Sequence, residues 1–480
     1  MKPTPSVVRH ALPALRLDPQ GHRHVDLRAV LALALPLFLN SSLQVVLNLT
    51  DTWFIGHLST AAMAAMAACY YLIFMFFLLL GGVGIGVQAI VAQHFGAEND
   101  SAVGRTTWSG LWAALATTPL FLLIGYAGPA LLAIFDLPPE VHDLAASFWF
   151  PRLLGGPLST LLFALNSFFN GISQPRHTLW IMALVALSNA LLNEWFIFHW
   201  HLGMAGAAWG STAAQAIGVV IAGAVFLRPT FRARFHTGRT WRPHWPSIRQ
   251  VFAIGIPTGL FPAMDVVGLG LFQLMQVKLS AVDGAATQIV MMLTSVSYLP
   301  AIGIALAGTT LVGQSIGAGD KSWAEACARV IIRMAVLYMG VVGVLLALSA
   351  SWVVPPFLTP GDPQGAQVMA LCISLLWIAA GYQVFDALNL SSAFCLRGAG
   401  DVRVPTLLLL ACSWGIFLPL CHALTFSPGQ GWVNFLPQWG WGATGGWLSA
   451  FAYAFCLGLA LWARWRSGAW KRISPLTQTQ

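Results

Sequence analysis

The stretch that decides the fold is residues 61–92, AAMAAMAACYYLIFMFFLLLGGVGIGVQAIVA, which contains no charged side chain. A helix of about 20 apolar residues already crosses the roughly 30 Å hydrocarbon layer of a membrane. Comparable apolar runs recur from position 28 to position 463, and only 8% of the 480 residues are charged, whereas soluble domains carry about a quarter. The sequence therefore predicts an all-α, polytopic membrane protein.

Twelve transmembrane helices are predicted from the apolar runs and from the Gly, Pro and charged residues between them. Their approximate ranges are 28–53, 61–92, 106–125, 144–170, 178–198, 204–227, 250–277, 285–314, 327–348, 367–395, 404–424 and 442–463. If the N-terminus is cytoplasmic, every Lys and Arg except Arg152 and Lys278 falls on the inner side. The positive-inside rule then places both termini in the cytoplasm. Because the charges flank the spans, the net charge of +8 does not indicate a nucleic acid partner.

The chain divides into two similar halves. We expect a cytoplasmic tail (1–27), an N-terminal six-helix lobe (28–227), a basic cytoplasmic linker (228–249), a C-terminal six-helix lobe (250–463) and a second cytoplasmic tail (464–480). An offset of 221 residues pairs Gln93 with Gln314 and Gly96 with Gly317. Since six is even, both halves enter the membrane from one side, which predicts two bundles related by a pseudo-twofold axis along the membrane normal. A cavity between such bundles suits alternating access, although a duplicated scaffold without transport stays open.

Four acidic residues lie inside predicted spans: Asp51, Glu194, Asp265 and Asp386. A carboxylate there costs about 2.5–3.5 kcal/mol on insertion scales unless it is protonated, bound to an ion or in a wet cavity. The sequence offers few basic residues to neutralise these acids. We therefore expect the countercharge to come from solution, either as a proton or as a metal cation held by oxygen ligands.

Amide side chains near these acids are candidate supporting ligands. Asn189 and Asn193 are four residues apart and share a helix face, while Gln383 and Asn389 flank Asp386 in the tenth span. The alternative is that buried amides only join helices. Glu194 lies near the outer end of the fifth span, where it is either solvated or a further ligand. The candidates for a substrate cavity are Gln44, Asn48, Tyr70, Met264, Met291 and Tyr298.

Several motifs that resemble enzyme signatures have a simpler explanation. The glycines at 84 and 86 imitate a dinucleotide loop, but they lie inside an apolar span, where small residues favour helix packing. Two GxGD stretches, at 317–320 and 398–401, resemble the signature of intramembrane aspartyl proteases, yet they fall in inner loops and no Tyr-Asp pair exists to supply a second catalytic aspartate. The sequence also has no P-loop, so we expect neither an enzyme nor a cofactor.

With these features the chain resembles the multidrug and toxin extrusion (MATE) family, and within it the NorM-like bacterial branch. The similarity rests on Pro36 followed by NLTDTWFIGHL at 48–58, on NSFFNG at 166–171 and on YQVFDALN at 382–389. It implies a two-lobe antiporter of the bacterial inner membrane, monomeric in the bilayer. Such a protein exports amphiphilic, often cationic drugs in exchange for Na+ or H+.

The resemblance also implies where the coupling ion binds. Asp265 and Asp386 match the acidic pair that NorM-like members use, so Na+ is a possible ligand there, and Asp51 matches an acid of the N-terminal lobe. Asp265 stands where that branch commonly has Glu. Asn193 stands where a related branch, which uses a first-lobe site, has Asp. A lipid-linked oligosaccharide flippase of the same superfamily is the alternative function.

Overall fold

The structure is a computed structural model that describes residues 12–134, 138–358 and 363–478. It confirms twelve helices long and apolar enough to cross a membrane. In chain order these spans 1 to 12 are Leu27–Gly56, Ala61–Gly96, Asp100–Tyr126, Pro139–Gly171, Pro175–His199, Gly203–Phe226, Trp245–Leu279, Ala281–Gly317, Lys321–Leu348, Gly365–Gly398, Arg403–Thr425 and Gly442–Arg466. Most extend a few residues past their apolar runs, because polar residues supply the caps that helix ends need.

Four spans are not continuous α-helices. Span 3 consists of Asp100–Ala116 and Thr118–Tyr126, and span 4 of Pro139–Leu154 and Gly156–Gly171. A proline follows each break and lacks the amide hydrogen that the preceding turn would use. Spans 5 and 11 each contain a wider π-helical turn, at Trp195–His199 and Ser413–Phe417. Such turns are frequent at functional sites.

Short elements lie outside the spans. The N-terminal tail holds a two-stranded antiparallel hairpin, Leu15–Leu17 and Arg23–Val25, with Arg16 opposite His24. This hairpin was not predicted. The remaining elements are the helices Gly128–Ala133, Pro229–Phe235 and Ala350–Val353 and the 3₁₀ turns Pro355–Phe357, Ala469–Arg472 and Leu476–Gln478.

The basic linker between the halves is folded against the N-terminal half. Phe231 and Phe235 of its short helix are buried in the core of that half. The indole nitrogens of Trp108 and Trp112 each donate a 2.8 Å hydrogen bond to a linker carbonyl, at Thr237 and at Trp241. These contacts attach the linker to span 3.

The two halves meet through small residues. A methyl group on Gly82 of span 2 would overlap the backbone of Gly259 in span 7, and one on Gly303 of span 8 would overlap the backbone of Phe38 in span 1. The 221-residue offset relates Gly82 to Gly303 and Phe38 to Gly259, so the two contacts involve equivalent positions of the two halves of the sequence. Small-residue helix packing also accounts for Gly84.

A second reciprocal contact, which we call the seam, joins the C-terminal ends of spans 2 and 8 at Gln93, Gly96, Gln314 and Gly317. The Cα positions of Gly96 and Gly317 leave no room for a side chain, because a methyl group there would overlap the main chain of Gln314 and Gln93, respectively. Gln93 Nε2 donates to the carbonyl of Gly398 at 2.9 Å, and Gln314 Nε2 donates to the carbonyl of Gly171 at 2.8 Å. Each glutamine thus bonds the end of a span in the other half.

The hydrophobic cores cross between the halves. Val30, Leu33, Ala34 and Leu37 of span 1 pack in the main core of the C-terminal half. The stretch 248–254 of span 7 supplies three apolar side chains to the core of the N-terminal half. The first part of each half's leading span therefore packs against the other half.

The two GxGD stretches are helix ends followed by turns. Gly319 and Gly400 have positive φ values of 81° and 84°, the left-handed conformation in which glycine commonly ends a helix. Asp320 caps span 9 by accepting the Trp323 N–H at 2.9 Å, and Asp401 forms a 2.8 Å ion pair with Arg464. Both aspartates have structural roles in the turns that they occupy.

Asp320 also holds the N-terminal tail. Arg23 of the hairpin forms a 2.7 Å ion pair with it, and the Trp323 indole nitrogen donates to the carbonyl of Pro13 at 2.9 Å. Partial burial raises the pKa of Asp320, but hydrogen bonds from Ser322 and Trp323 and the Arg23 guanidinium outweigh this effect, so the net pKa is lowered.

Candidate functional site

The structure brings the two acids of the C-terminal half together. Asp265 of span 7 and Asp386 of span 10 lie within electrostatic range of each other and of Tyr298 and Tyr382. Tyr453 of span 12 donates its hydroxyl hydrogen to Asp265 Oδ1 at 2.7 Å. Four spans therefore supply polar side chains to one site, which we call the C-terminal acid site.

The C-terminal acid site has an excess of hydrogen-bond acceptors. Asn389 Nδ2 donates to Asp386 Oδ1 at 3.3 Å, which leaves Asn389 Oδ1 buried without a partner. Gln383 Oε1 is also buried and unpartnered, but the amide group of this side chain packs beside Gly343 of span 9. A buried polar atom without a hydrogen bond costs about 1–3 kcal/mol. Among the residues that the structure describes, no Lys or Arg forms an ion pair with either acid.

Tyr453 is held in place by aromatic packing. Its ring stacks on Phe417, with ring centroids 4.9 Å apart and an angle of 22° between the planes. Phe417 belongs to the π-helical turn of span 11 and also contacts Phe272 of span 7. The turn thus supports the residue that bonds Asp265. Sequence reasoning missed Tyr453, which lies in an apolar run without a motif, although a buried hydroxyl in a span must find an acceptor.

The acid of the N-terminal half has a different environment. Asn193 Nδ2 donates to Asp51 Oδ1 at 2.6 Å, and the hydroxyl of Ser211 in span 6 donates to Asp51 Oδ2 at 3.2 Å. Asn189 in turn donates to Ser211 at 3.0 Å. The guanidinium of Arg152 in span 4 lies within electrostatic range of Asp51. Asp51 therefore has donors on both oxygens and a positive charge nearby.

Asn189 and Asn193 join Asp51, as their spacing predicts, but Glu194 does not. Its side chain is exposed, because one further residue turns the helix by about 100° away from the face that Asn193 occupies. Ser211 was not predicted, since serine is common in membrane helices and no motif surrounds it.

The predicted cavity residues are distributed over both halves. Asn48 donates to the hydroxyl of Tyr70 at 3.2 Å, which joins spans 1 and 2. Gln44 is exposed. Three of the candidates are partly buried against the core of the C-terminal half: Met264, Met291 and Tyr298.

The residues of the C-terminal acid site suit a cation. Carboxylate, amide and hydroxyl oxygens are the ligands that hard cations prefer. The unpartnered carbonyl oxygen of Asn389, whose amide nitrogen bonds Asp386, would gain an electropositive partner that the described protein atoms do not supply. A proton on one acid would instead relieve the repulsion between the two carboxylates. Either ligand neutralises buried negative charge.

Three comparisons place this geometry among known proteins. The model of the family described as MatE matches residues 36–195 and 267–422. A probable multidrug resistance protein NorM from Brucella suis biovar 1 (strain 1330) is 30% identical over 456 residues, covering 92% of this chain and 93% of that protein. A protein of the same name from Mesorhizobium japonicum is 27% identical, covering 85% and 89%.

Solved structures share the fold. One, described as the outward-facing conformation of a multidrug resistance MATE family transporter of the MOP superfamily, has a TM-score of 0.81 and 18% identity, with 92% of this chain and 96% of that chain covered. Another, of a MOP superfamily transporter from Pyrococcus furiosus, gives the same TM-score. Family model, relatives and fold agree, and the chain belongs to the MatE family of multidrug efflux transporters.

Proposed function

We propose that this protein is a secondary active antiporter that exports amphiphilic, often cationic compounds in exchange for Na+ or H+ bound at Asp265 and Asp386. The observation that carries the proposal is the composition of the C-terminal acid site. Two carboxylates lie within electrostatic range of each other there, Asn389 adds an unpartnered buried oxygen, and no ion pair to a described Lys or Arg balances the charge. The missing positive charge is the coupling ion.

In this proposal Asp51 has a supporting role, because its surroundings differ from those of the C-terminal acid site. Asn193 and Ser211 already donate to its two oxygens, and Arg152 supplies a positive charge from within the protein. An acid whose charge is partly balanced from within the protein gains less from an external cation, although Asn193 Oδ1 beside it is also buried without a partner. We therefore place the primary coupling in the C-terminal half, with Asp51 stabilising the N-terminal half.

The distribution of contacts between the halves supports alternating access. The hydrogen bonds that join them involve Gln88 and Gln93 of span 2 and Thr310 and Gln314 of span 8, all in the second part of those spans. Large exposed apolar side chains occur along the whole length of spans 1 and 7, in the parts near these bonds, as at Leu31, Leu35 and Ile256, and in the opposite parts, as at Leu49 and Leu274. We propose that an apolar cleft, suited to amphiphilic compounds, opens between the halves at the end away from these hydrogen bonds.

The charge distribution supports an orientation. With both termini in the cytoplasm of a bacterial inner membrane, the seam lies on the cytoplasmic side and the cleft opens outward. The protein acts as a single chain, since each half supplies core residues to the other. A cysteine placed at position 238 should be unreachable by impermeant reagents applied outside cells.

The test is dye efflux from vesicles that contain the purified protein, measured against imposed Na+ and pH gradients. We expect efflux to follow one gradient in the wild type and to fall to background in Asp386→Asn, because the amide keeps the volume but neither binds a cation strongly nor exchanges a proton. Asp143→Asn, which changes an exposed acid in the loop-facing part of span 4, is the matched control. Ion-dependent efflux by Asp386→Asn would remove this residue from the coupling site.

A further inference from the structure

The segment that follows span 12 crosses the face of the molecule on which the N-terminal hairpin and the end of span 12 lie. After Arg466 the chain turns at Gly468, which has a φ of 67°, and continues as two short 3₁₀ turns, Ala469–Arg472 and Leu476–Gln478. We call residues 469–478 the strap. Its first turn contacts the C-terminal half, and its second turn contacts both halves.

The first turn of the strap is fixed to the C-terminal half. Trp470 is buried and stacks on Trp465, with ring centroids 4.5 Å apart and planes 8° from parallel. Lys471 forms a 2.6 Å ion pair with Glu325 of span 9, and its carbonyl accepts a hydrogen bond of 2.6 Å from Lys321. A large buried aromatic ring and two polar contacts anchor this end.

The second turn reaches the N-terminal half. Leu476 is buried in the core of that half, together with side chains from spans 2 to 7. Its backbone N–H donates to Gln93 Oε1 at 2.7 Å, and its carbonyl accepts from Gln250 Nε2 at 2.7 Å. Its side chain also lies beside Gly400, where a methyl group would approach Leu476 Cδ2 to 3.2 Å.

The contact with Gln93 connects the strap to the seam. Gln93 uses its amide nitrogen on Gly398 of the C-terminal half and its amide oxygen on Leu476, so both polar atoms of this side chain are engaged across the interface. Gln314 is the equivalent residue at the 221 offset, and it bonds Gly171 and Ser173. Of these two glutamines, Gln93 is the one that accepts a hydrogen bond from the strap.

We propose that the strap holds the two halves together on the face where the hairpin and the end of span 12 lie, and that Leu476 must leave its site before this face opens. If the halves separate there, Gln93 moves away from span 9, to which Lys471 fixes the strap. The bond from the Leu476 N–H to Gln93 would then break, and the leucine side chain would leave the core of the N-terminal half, whereas its bond to Gln250 lies within the C-terminal half. This inference rests on the proposed transport cycle for its role, but the contacts themselves do not depend on the coupling ion.

The test uses pulsed electron paramagnetic resonance on the full-length protein without native cysteines. Spin labels on cysteines at the exposed positions Arg176, in the N-terminal half, and Arg329, in the C-terminal half, report the separation of the halves on this face. Removal of all residues after Ile473 keeps the anchor and removes Leu476. We expect the population at long distances to rise about tenfold, the ratio that corresponds to a difference of about 1.4 kcal/mol.

Point variants of the strap test the same proposal if the truncated chain inserts poorly into the membrane. Leu476→Ala should shift the population in the same direction, whereas Ser474→Ala and Gln478→Ala, which change exposed strap positions, should not. An unchanged distance distribution in both the truncation and Leu476→Ala overturns the proposal. Because the distances are measured without ion gradient or dye, a failure of ion-dependent efflux alone would refute the coupling proposal and leave the strap intact.

Discussion

Gly317→Ala probes the seam directly. The residue ends span 8, and the added methyl carbon would lie 2.8 Å from the carbonyl carbon of Gln93 and closer still to its oxygen. Real Cβ atoms essentially never come within 3.0 Å of a non-bonded heavy atom from another part of the chain. The obstructing atoms are backbone atoms of span 2, so no side-chain rotation relieves the overlap. The two spans must move apart.

The cost falls on one conformation. Inserting a methyl group into a packed contact costs about 1–3 kcal/mol. Because this contact joins the two halves, only the state in which the seam is closed bears that cost. A shift of this size changes the ratio of two conformations by about 5–150-fold. We therefore expect Gly317→Ala to favour the state in which the seam is open.

The assay is the same label pair at Arg176 and Arg329, with thermal unfolding measured in parallel. Gly223→Ala is the matched control, because this helical glycine in span 6 has no other atom within 4 Å of the added methyl group. Replacing glycine by alanine in a helix stabilises it by about 1 kcal/mol, so the control should unfold at the same or a higher temperature. Gly317→Ala should unfold earlier and show longer distances.

The reciprocal contact gives a further check. Gly96→Ala should resemble Gly317→Ala, because Gly96 meets Gln314 as Gly317 meets Gln93. Once the spans have moved apart to accommodate one methyl group, the second methyl group needs less movement. The double variant should therefore lower the free energy of unfolding by less than the sum of the two single changes. If Gly317→Ala matches Gly223→Ala in both distances and unfolding temperature, the seam is not a contact that opens, and the reasoning is wrong.

Two further predictions concern Asp51 and Asp320. Asp51→Asn should leave cation binding at the C-terminal acid site unchanged, which calorimetric cation titration checks. It should lower the free energy of unfolding by about 1–3 kcal/mol, because it removes a charged acceptor from two donors and leaves the charge of Arg152 unbalanced. Thermal unfolding measures this loss, and normal stability would contradict it. Asp320→Asn keeps the helix cap and loses the ion pair with Arg23, so we expect the free energy of unfolding to fall by at most about 1 kcal/mol. Asp320→Ala also loses the cap, and we expect its free energy of unfolding to fall by about 1 kcal/mol more. Since the folded pKa of Asp320 is lowered from 3.8, the stabilisation by its charge is present above that pH and is lost as the pH falls through the folded value. The unfolding temperatures of wild type and Asp320→Asn should therefore converge in acid, and a difference that persists there would contradict the ion-pair explanation.

The number of spans could be predicted because the thickness of the hydrocarbon layer sets the length of the apolar run that each span needs. Each span needs a long apolar run, and the helix ends are marked by caps such as Asp320 and by glycines such as Gly319, so local sequence determines both. The breaks at Thr117 and Gly155 and the two π-helical turns could not be predicted, since they depend on how a span packs against its neighbours.

The acids of the candidate site could be found from sequence, but their partners could not. Asp51, Asp265 and Asp386 stand out because a carboxylate in a span is costly. Tyr453 and Ser211 are ordinary residues in apolar runs, and only the packing of span 12 against span 7 and of span 6 against span 1 brings them to the acids. The same holds for Leu476, which is far from Gln93 in the chain.

The crossing of the cores makes the two halves interdependent during biogenesis. The first half of the chain emerges from the ribosome before Ile248, Val251 and Ile254 exist, so the core of the N-terminal half lacks those side chains until span 7 has entered the membrane. Conversely, Val30 to Leu37 have no complete surroundings until the C-terminal half is made. A gene split at the linker should therefore yield two fragments that mature only when they are synthesised together, with each serving as the folding template of the other.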